Sequence, residues 1–287
     1  MNTFKDVIIL LRLPFSLLLM PVFLFAVSQC NHPNWWNVFL LFIILHLLVY
    51  PSSNAYNSYI DQDEGSIGGL KSPPKAGKAV YHLSLCMDVS AVVVSLLINY
   101  KAALLITGYI LASRAYSSRM TRLKKYAIVS YLVVVVFQGG YIFILTQLAA
   151  DNLRMITNSF AIYASSFLIA GIYPLTQVYQ HEADRKSGDH TISLRLGVKG
   201  TFTLSTVMFS IAGVLMLMHF YNTGHLFHFY LYLMFLAPTA AFFMWWRKHA
   251  LKYPGLANFK NTMVMNVLAA LSMNCFFLLL IYFNLVQ

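Results

Sequence analysis

The chain has 287 residues, 59% of them hydrophobic and only 10% charged, with a mean hydropathy of +0.66. Soluble domains average about 45–50% apolar and about 25% charged residues, so this composition excludes an ordinary soluble fold and implies an integral membrane protein. The formal charge of +11 sits at the ends of apolar segments rather than along a basic face interleaved with aromatic residues, which argues against nucleic acid as a partner.

A helix needs about 20 residues to cross about 30 Å of hydrocarbon. In chain order, apolar segments of this kind are predicted over residues 8–29, 36–58, 79–99, 102–117, 126–149, 156–179, 201–221, 226–246 and 262–285, nine helices in all. The first is too long for a signal-peptide core and carries no A-x-A cleavage site, so it is expected to stay in the membrane. With a cytoplasmic N-terminus, nine spans put every one of the 20 lysines and arginines inside except Lys101 and Arg154. That asymmetry is the positive-inside rule, and it places the C-terminus outside and the basic loops against anionic membrane lipids. Cys30, Cys86 and Cys275 lack metal-ligand or redox spacing and read as small buried apolar residues. No linker rich in Gly, Pro or Ser divides the chain, so residues 1–287 are expected to form a single transmembrane domain.

Two polar clusters interrupt the pattern. NAYNSYIDQDEGSIGGLKSPPKAGK begins at Asn54 and TQVYQHEADRKSGDHTISLRLG at Thr176, each at the end of an apolar segment. On a helix, Asn54, Asn57, Asp61 and Glu64 stack on one face, and Gln177, Gln180, His181 and Asp184 do the same. Unsatisfied polar groups at membrane depth cost several kcal/mol, so a shared cavity at the cytoplasmic side is a better reading than two solvated helix ends. Facing carboxylates repel by about 3 kcal/mol at about 6 Å and an effective dielectric near 20, so they call for a cation between them. Oxygen ligands without His–Cys spacing suit Mg²⁺, which takes carboxylates together with the oxygens of a phosphorylated substrate. A metal-bridged diphosphate beside an apolar cavity implies a substrate with an anionic head and a lipid tail.

Asp88 lies inside the third apolar segment and is expected to face the cavity or a partner. His219, His225 and His228 gather near one outer loop and read as interfacial histidines, and Gly139 and Gly140 read as sites of close helix packing.

NAYNSYIDQD followed by QHEADRKSGDHTISLRLG resembles the UbiA-type intramembrane prenyltransferases. Arg-Leu-Pro at Arg12 to Pro14 and the segment YSSRMTRLKK between the fourth and fifth helices carry the same likeness. The resemblance implies an all-α bundle of about nine transmembrane helices around a central cavity, with two Mg²⁺ ions held by two Asp-rich motifs. It implies transfer of a prenyl group from a polyprenyl diphosphate to an aromatic, quinone-precursor or other lipophilic acceptor. A membrane terpene cyclase, or an inactive homologue serving as a lipid-binding protein or transporter, is the alternative.

Carried over by position, Asn54, Asn57 and Asp61 match the aspartates of the first motif, with Ser53 at its leading Asn, and Gln180 and Asp184 match the second. These five residues are the implied metal ligands. Asp61, Asp184 and Tyr116 are the candidate catalytic residues. Lys71, Lys75, Arg119 and Lys124, with Asn54 and Asn57, are candidates for binding the diphosphate, and Tyr56, Tyr59, Tyr116 and Tyr173 for facing an allylic cation. The motifs depart from the family pattern at Asn54, Asn57 and Gln180, where amides replace acids, with Asp63, Glu64 and Glu182 as acids that compensate nearby.

Overall fold

A computed structural model describes residues 3–62, 64–151 and 159–286. Arg154, Asp63 and the first residues of the sixth predicted segment lie outside the described residues. Each of the nine predicted segments corresponds to a helix: α1 (Phe4–Ser28), α2 (Trp35–Asp61), α3 (Lys78–Ser95), α4 (Tyr100–Ser117), α5 (Ala127–Ala150), α6 (Phe160–Leu175), α8 (Ile192–Asn222), α9 (Leu226–Lys252) and α10 (Phe259–Val286). A short helix, α7 (His181–Ser187), was not anticipated. Among the described residues there is no strand, only an isolated Ile67–Leu70 bridge, and seven helices are long and apolar enough to cross a membrane. The two nine-segment helices outside that group are α4, which carries Lys101 and Arg114, and the shorter α6.

The helices break where the sequence demands it. In α1, Arg12 adopts a left-handed conformation (φ 50°) between Phe4–Leu11 and Leu13–Ser16. Its guanidinium donates to the carbonyl oxygens of Asn54 at 3.0 Å and Gly68 at 3.2 Å, which fixes the end of α2 and the following loop against α1. Seven residues of α2, Ile43–Val49, are π-helical just before Pro51, whose ring nitrogen has no proton to give to the ladder. The second π-helical stretch, Val136–Tyr141 in α5, holds Gly139 and Gly140 against α6. A Cβ at Gly139 would lie 2.5 Å from the Cα of Ser166, so only glycine permits this approach.

The main apolar core joins all the long helices, with Phe25, Phe143, Phe220, Phe276 and Phe277 fully buried. Two smaller apolar clusters flank the other end, one built from α1, α2 and α3, the other around Phe202, Trp246 and Met265. Large apolar side chains such as Val89, Leu104, Leu132, Met234 and Leu278 face outward. In water such a surface would aggregate; against hydrocarbon it is the surface a multi-pass membrane protein presents. Cys86 and Cys275 are on this exposed surface, contrary to expectation, whereas Cys30 is buried.

Asp88 is buried among α2, α3 and α4, where it accepts from Ser52 Oγ at 2.6 Å and from Arg114 Nε at 2.7 Å. The Arg114 guanidinium also lies 4.0 Å from the centre of the Tyr56 ring. Asp88 is therefore a structural acid with its own cation, and Tyr56 is turned to Arg114. His219 is buried and bonded to Gln29 at 2.7 Å, while His225 and His228 stack with ring centres 5.0 Å apart.

Candidate active site

A cavity of about 1410 Å³ opens among the helices, with its lining drawn from every long helix except α3. Its floor is apolar: Phe25, Tyr232, Met273 and Phe277 line it, and the Phe25 and Phe277 rings stack with centres 4.6 Å apart. Along α1, Phe25 lies about 20 Å from Arg12 at 1.5 Å per helical residue. The pocket is thus long, apolar at depth and polar at its mouth.

α2 delivers Asn54, Asn57 and Asp61 to that mouth on one face, as their spacing requires. The helix stops at Asp61 because Gln62 turns left-handed (φ 52°), its side-chain amide donating to the carbonyls of Tyr59 at 2.8 Å and Ala76 at 2.7 Å. Glu64 consequently leaves the predicted stack and reaches the lining from an exposed loop.

The second cluster departs further from the single helical face predicted for it. Past Pro174 the chain tightens into turns, with Thr176 Oγ1 donating to Tyr173 O at 2.6 Å and Gln177 N to Pro174 O at 3.1 Å. Only at His181 does α7 begin. Gln177, Gln180 and Asp184 all line the cavity, yet from different backbone segments, and His181 turns away to Ser193 Oγ at 2.7 Å. Burial, reinforced by Arg185, holds the His181 imidazole below its ordinary pKa. Asp184 accepts from Thr191 Oγ1 at 2.7 Å.

Gly188, left-handed at φ 71°, ends α7 and lets Asp189 N donate back to Asp184 O at 3.0 Å. This turn buries Asp189, a residue that sequence reasoning did not nominate. The Lys124 ammonium group pairs with Asp61 and lies 3.3 Å from Asp189, and Arg122 lies 3.0 Å from the same Asp189. Lys124 reaches this position from the turn Leu123–Lys125, entered through a left-handed Arg122 (φ 35°). The two clusters are therefore joined by a lysine.

Of the other candidates, Tyr116 and Tyr173 line the cavity with their hydroxyls 2.6 Å apart. Tyr59 packs on Tyr81 and Tyr56 on Arg114, outside the lining. Lys71, Lys75 and Arg119 are exposed and also outside it, because they occupy loops beyond the ends of α2 and α4. The cations that do line the cavity are Arg12, Lys124, Lys186 and Arg247. Lys186 is largely exposed and pairs with Glu182 at 2.8 Å. Arg247, on α9, was missed by sequence reasoning because its helix-end position looks the same as any other positive-inside anchor.

The model of the UbiA prenyltransferase family matches residues 18–268. The chain belongs to this family. Members of known structure share its fold. A solved digeranylgeranylglyceryl phosphate synthase structure aligns over 99% of both chains with a TM-score of 0.63 at 18% identity. A UbiA homologue from Archaeoglobus fulgidus bound to DMAPP and Mg²⁺ aligns over 96% of this chain and 99% of its own, with a TM-score of 0.66 at 16% identity. The same homologue bound to GPP and Mg²⁺ aligns equally, at 15% identity. No curated protein matches the chain.

The donor set can be tested against a divalent ion. Among the described residues no three His, Cys, Asp or Glu side chains are grouped to share one. In the first cluster Asn54 and Asn57 bring neutral oxygens, and the carboxylate of Asp61 is paired with Lys124. A dication about 5 Å from an ammonium group is repelled by roughly 7 kcal/mol at an effective dielectric near 20. The first cluster therefore does not fit an ion of its own. On the other side of the mouth, Asp184 and Gln180 line the cavity with a carboxylate and an amide, oxygen donors of the kind that Mg²⁺ takes together with substrate phosphates, whereas the Gln177 amide oxygen accepts from Ser193 N at 3.4 Å.

Proposed function

We propose that this protein transfers a prenyl group from a polyprenyl diphosphate to an aromatic, quinone-precursor or other lipophilic acceptor inside the membrane. One observation carries the reading: a single cavity joins a mouth of acids, amides and cations to a long apolar floor, which suits a molecule with a diphosphate head and an isoprenoid tail. Family membership and the ligands of the Archaeoglobus fulgidus homologue, DMAPP and GPP with Mg²⁺, support it.

In this reading nine helices span the membrane with the N-terminus and the cavity mouth cytoplasmic, as the charge asymmetry supports. Asp184 and Gln180 would hold Mg²⁺, which would supply positive charge to the departing diphosphate. Lys124 and Arg247 stabilise the remaining negative charge as the carbon–oxygen bond breaks and its electron pair leaves with the diphosphate. The apolar walls keep water from the allylic carbon, and the Tyr116–Tyr173 pair offers it aromatic surface. The acceptor supplies the electron pair of the new bond and loses a proton.

Incubation of the purified protein with Mg²⁺ and geranyl, farnesyl or geranylgeranyl diphosphate, with and without candidate aromatic acceptors, tests the reading through diphosphate release. The expected result is acceptor-dependent release, abolished by EDTA and by Asp184→Ala. Release without acceptor and formation of a cyclic hydrocarbon would instead mark a cyclase. The amides at Asn54, Asn57 and Gln180 favour a second reading, a lipid-binding protein or transporter, and that reading predicts no release with any donor.

A further inference from the structure

Several polar side chains on the cavity walls spend their hydrogen bonds on neighbours. Ser53 pairs with Ser113 at 2.6 Å, Thr239 with Ser272 at 3.1 Å, and Ser165 Oγ donates to Ala161 O at 2.9 Å. Asn266, on α10, differs. Only 6% of it is exposed and it lines the cavity, yet its side-chain amide has no hydrogen-bond partner among the described residues. A buried amide without a partner weakens the fold, so its presence here points to a ligand that completes it.

The direction and depth of Asn266 agree with that reading. Asn266, Ala270, Met273 and Phe277 follow one face of α10, and all four line the cavity. Among the described residues of α10 in the lining, Asn266 is the one polar side chain. It lies about 16 Å above the floor residue Phe277 at 1.5 Å per helical residue, just below the mouth. The Thr239–Ser272 contact fixes the register of the antiparallel α9 and α10. From that contact Arg247 lies about 12 Å and Asn266 about 9 Å towards the mouth, so the amide sits within one turn below the guanidinium. A diphosphate head at Arg247 therefore leaves the allylic carbon close to the level of Asn266.

We propose that Asn266 orients the acceptor: its amide pairs with a hydroxyl of that molecule and holds it against α10, beneath the diphosphate. The inference rests on the reading of the cavity as a prenyl transfer site. An amide gives a hydrogen bond through its NH₂ and takes one through its oxygen, and a hydroxyl does the same, so a single hydroxyl group can satisfy either end. A carboxylate only accepts and leaves the amide oxygen unpaired. The acceptor class that fits is thus a ring with a neutral hydroxyl, a phenol or hydroquinone. Asn266 carries no charge and titrates nowhere near neutrality, so it acts as a positioning and specificity residue and leaves the bond-breaking step to the mouth.

Geranyl transfer from geranyl diphosphate, with Mg²⁺, to 1-naphthol and to its methyl ether, 1-methoxynaphthalene, tests this assignment. The ratio of kcat/KM for the two acceptors is compared between wild type and Asn266→Leu, which cancels their intrinsic difference in reactivity. The preference for 1-naphthol is expected to fall by about 10–100-fold in the variant, with the affinity for geranyl thiodiphosphate unchanged. Asn266→Leu also removes an unpaired buried amide, so the melting temperature of the free protein in detergent is expected to rise. Asn266→Ser, which is smaller and keeps a hydroxyl, is expected to show an intermediate preference and extends the comparison if leucine is too bulky to fold. An unchanged acceptor ratio in both variants, or a lower melting temperature in both, would overturn the inference and leave the prenyl diphosphate site standing. Absence of transfer to either acceptor by a wild-type protein that binds geranyl thiodiphosphate would do the same. Absence of thiodiphosphate binding would overturn both readings together.

Discussion

Asp61, at the end of α2, and Asp189, just after α7, converge on one ammonium group, that of Lys124. The contact ties the two remote polar segments of the chain at the mouth of the cavity. Removing one partner from a nearly buried ion pair leaves the other charges uncompensated, at a cost of about 3–5 kcal/mol. Lys124→Ala is therefore expected to lower the melting temperature in detergent, and millimolar Mg²⁺ to restore part of the loss by binding the freed acids.

The Asp88–Arg114 pair is structural and separate from the cavity lining. Asp88→Ala strands a guanidinium among Ser52, Ser84 and Tyr56 and is expected to cost about 3 kcal/mol or more. Replacing both residues with apolar ones of similar volume, Asp88→Leu with Arg114→Met, should recover much of that loss. Urea or thermal unfolding in detergent measures both, and turnover per folded molecule should change little.

The floor of the cavity limits the tail it accepts. Phe25 and Phe277 stack on that floor, so Phe277→Leu enlarges the cavity at its apolar end. The expected outcome is a shift in kcat/KM towards donors longer by one isoprene unit, measured in competition between two diphosphates. An unchanged preference, with the variant folded, would place the tail elsewhere.

His181 gives the fold a mild acid sensitivity. Burial and Arg185 lower its pKa in the folded chain, while the unfolded chain retains an ordinary imidazole value near 6.5. The neutral form that pairs with Ser193 therefore contributes stability above about pH 6.5, and that contribution is lost as the pH falls below it and protons bind the unfolded state first. Melting curves between pH 8 and pH 5.5 should show a drop that is smaller in His181→Gln.

The positions of the long helices were legible because twenty apolar residues in a row have few alternatives in water or lipid. Asn54, Asn57, Asp61, Gln180 and Asp184 were legible as lining residues because polar groups at membrane depth need a cavity or a partner. The rest depended on backbone breaks that periodicity does not reveal. Left-handed Gln62 removes Glu64 from its helix, the turns after Pro174 split the second cluster, and left-handed Gly188 buries Asp189. Lysines were the hardest to place: Lys71, Lys75 and Lys124 look alike as positive-inside residues, and only the turn at Arg122 sends Lys124 inward. Asp189 had one signal, an acid directly after the glycine that caps a short charged helix.

Cryo-electron microscopy of the protein with geranyl thiodiphosphate and Mg²⁺ tests the central claim most directly. Density for the diphosphate between Lys124 and Asp184, with the tail running towards Phe25 and Phe277, is the predicted result. A diphosphate bound outside this mouth, or a tail pointing away from the apolar floor, would contradict it.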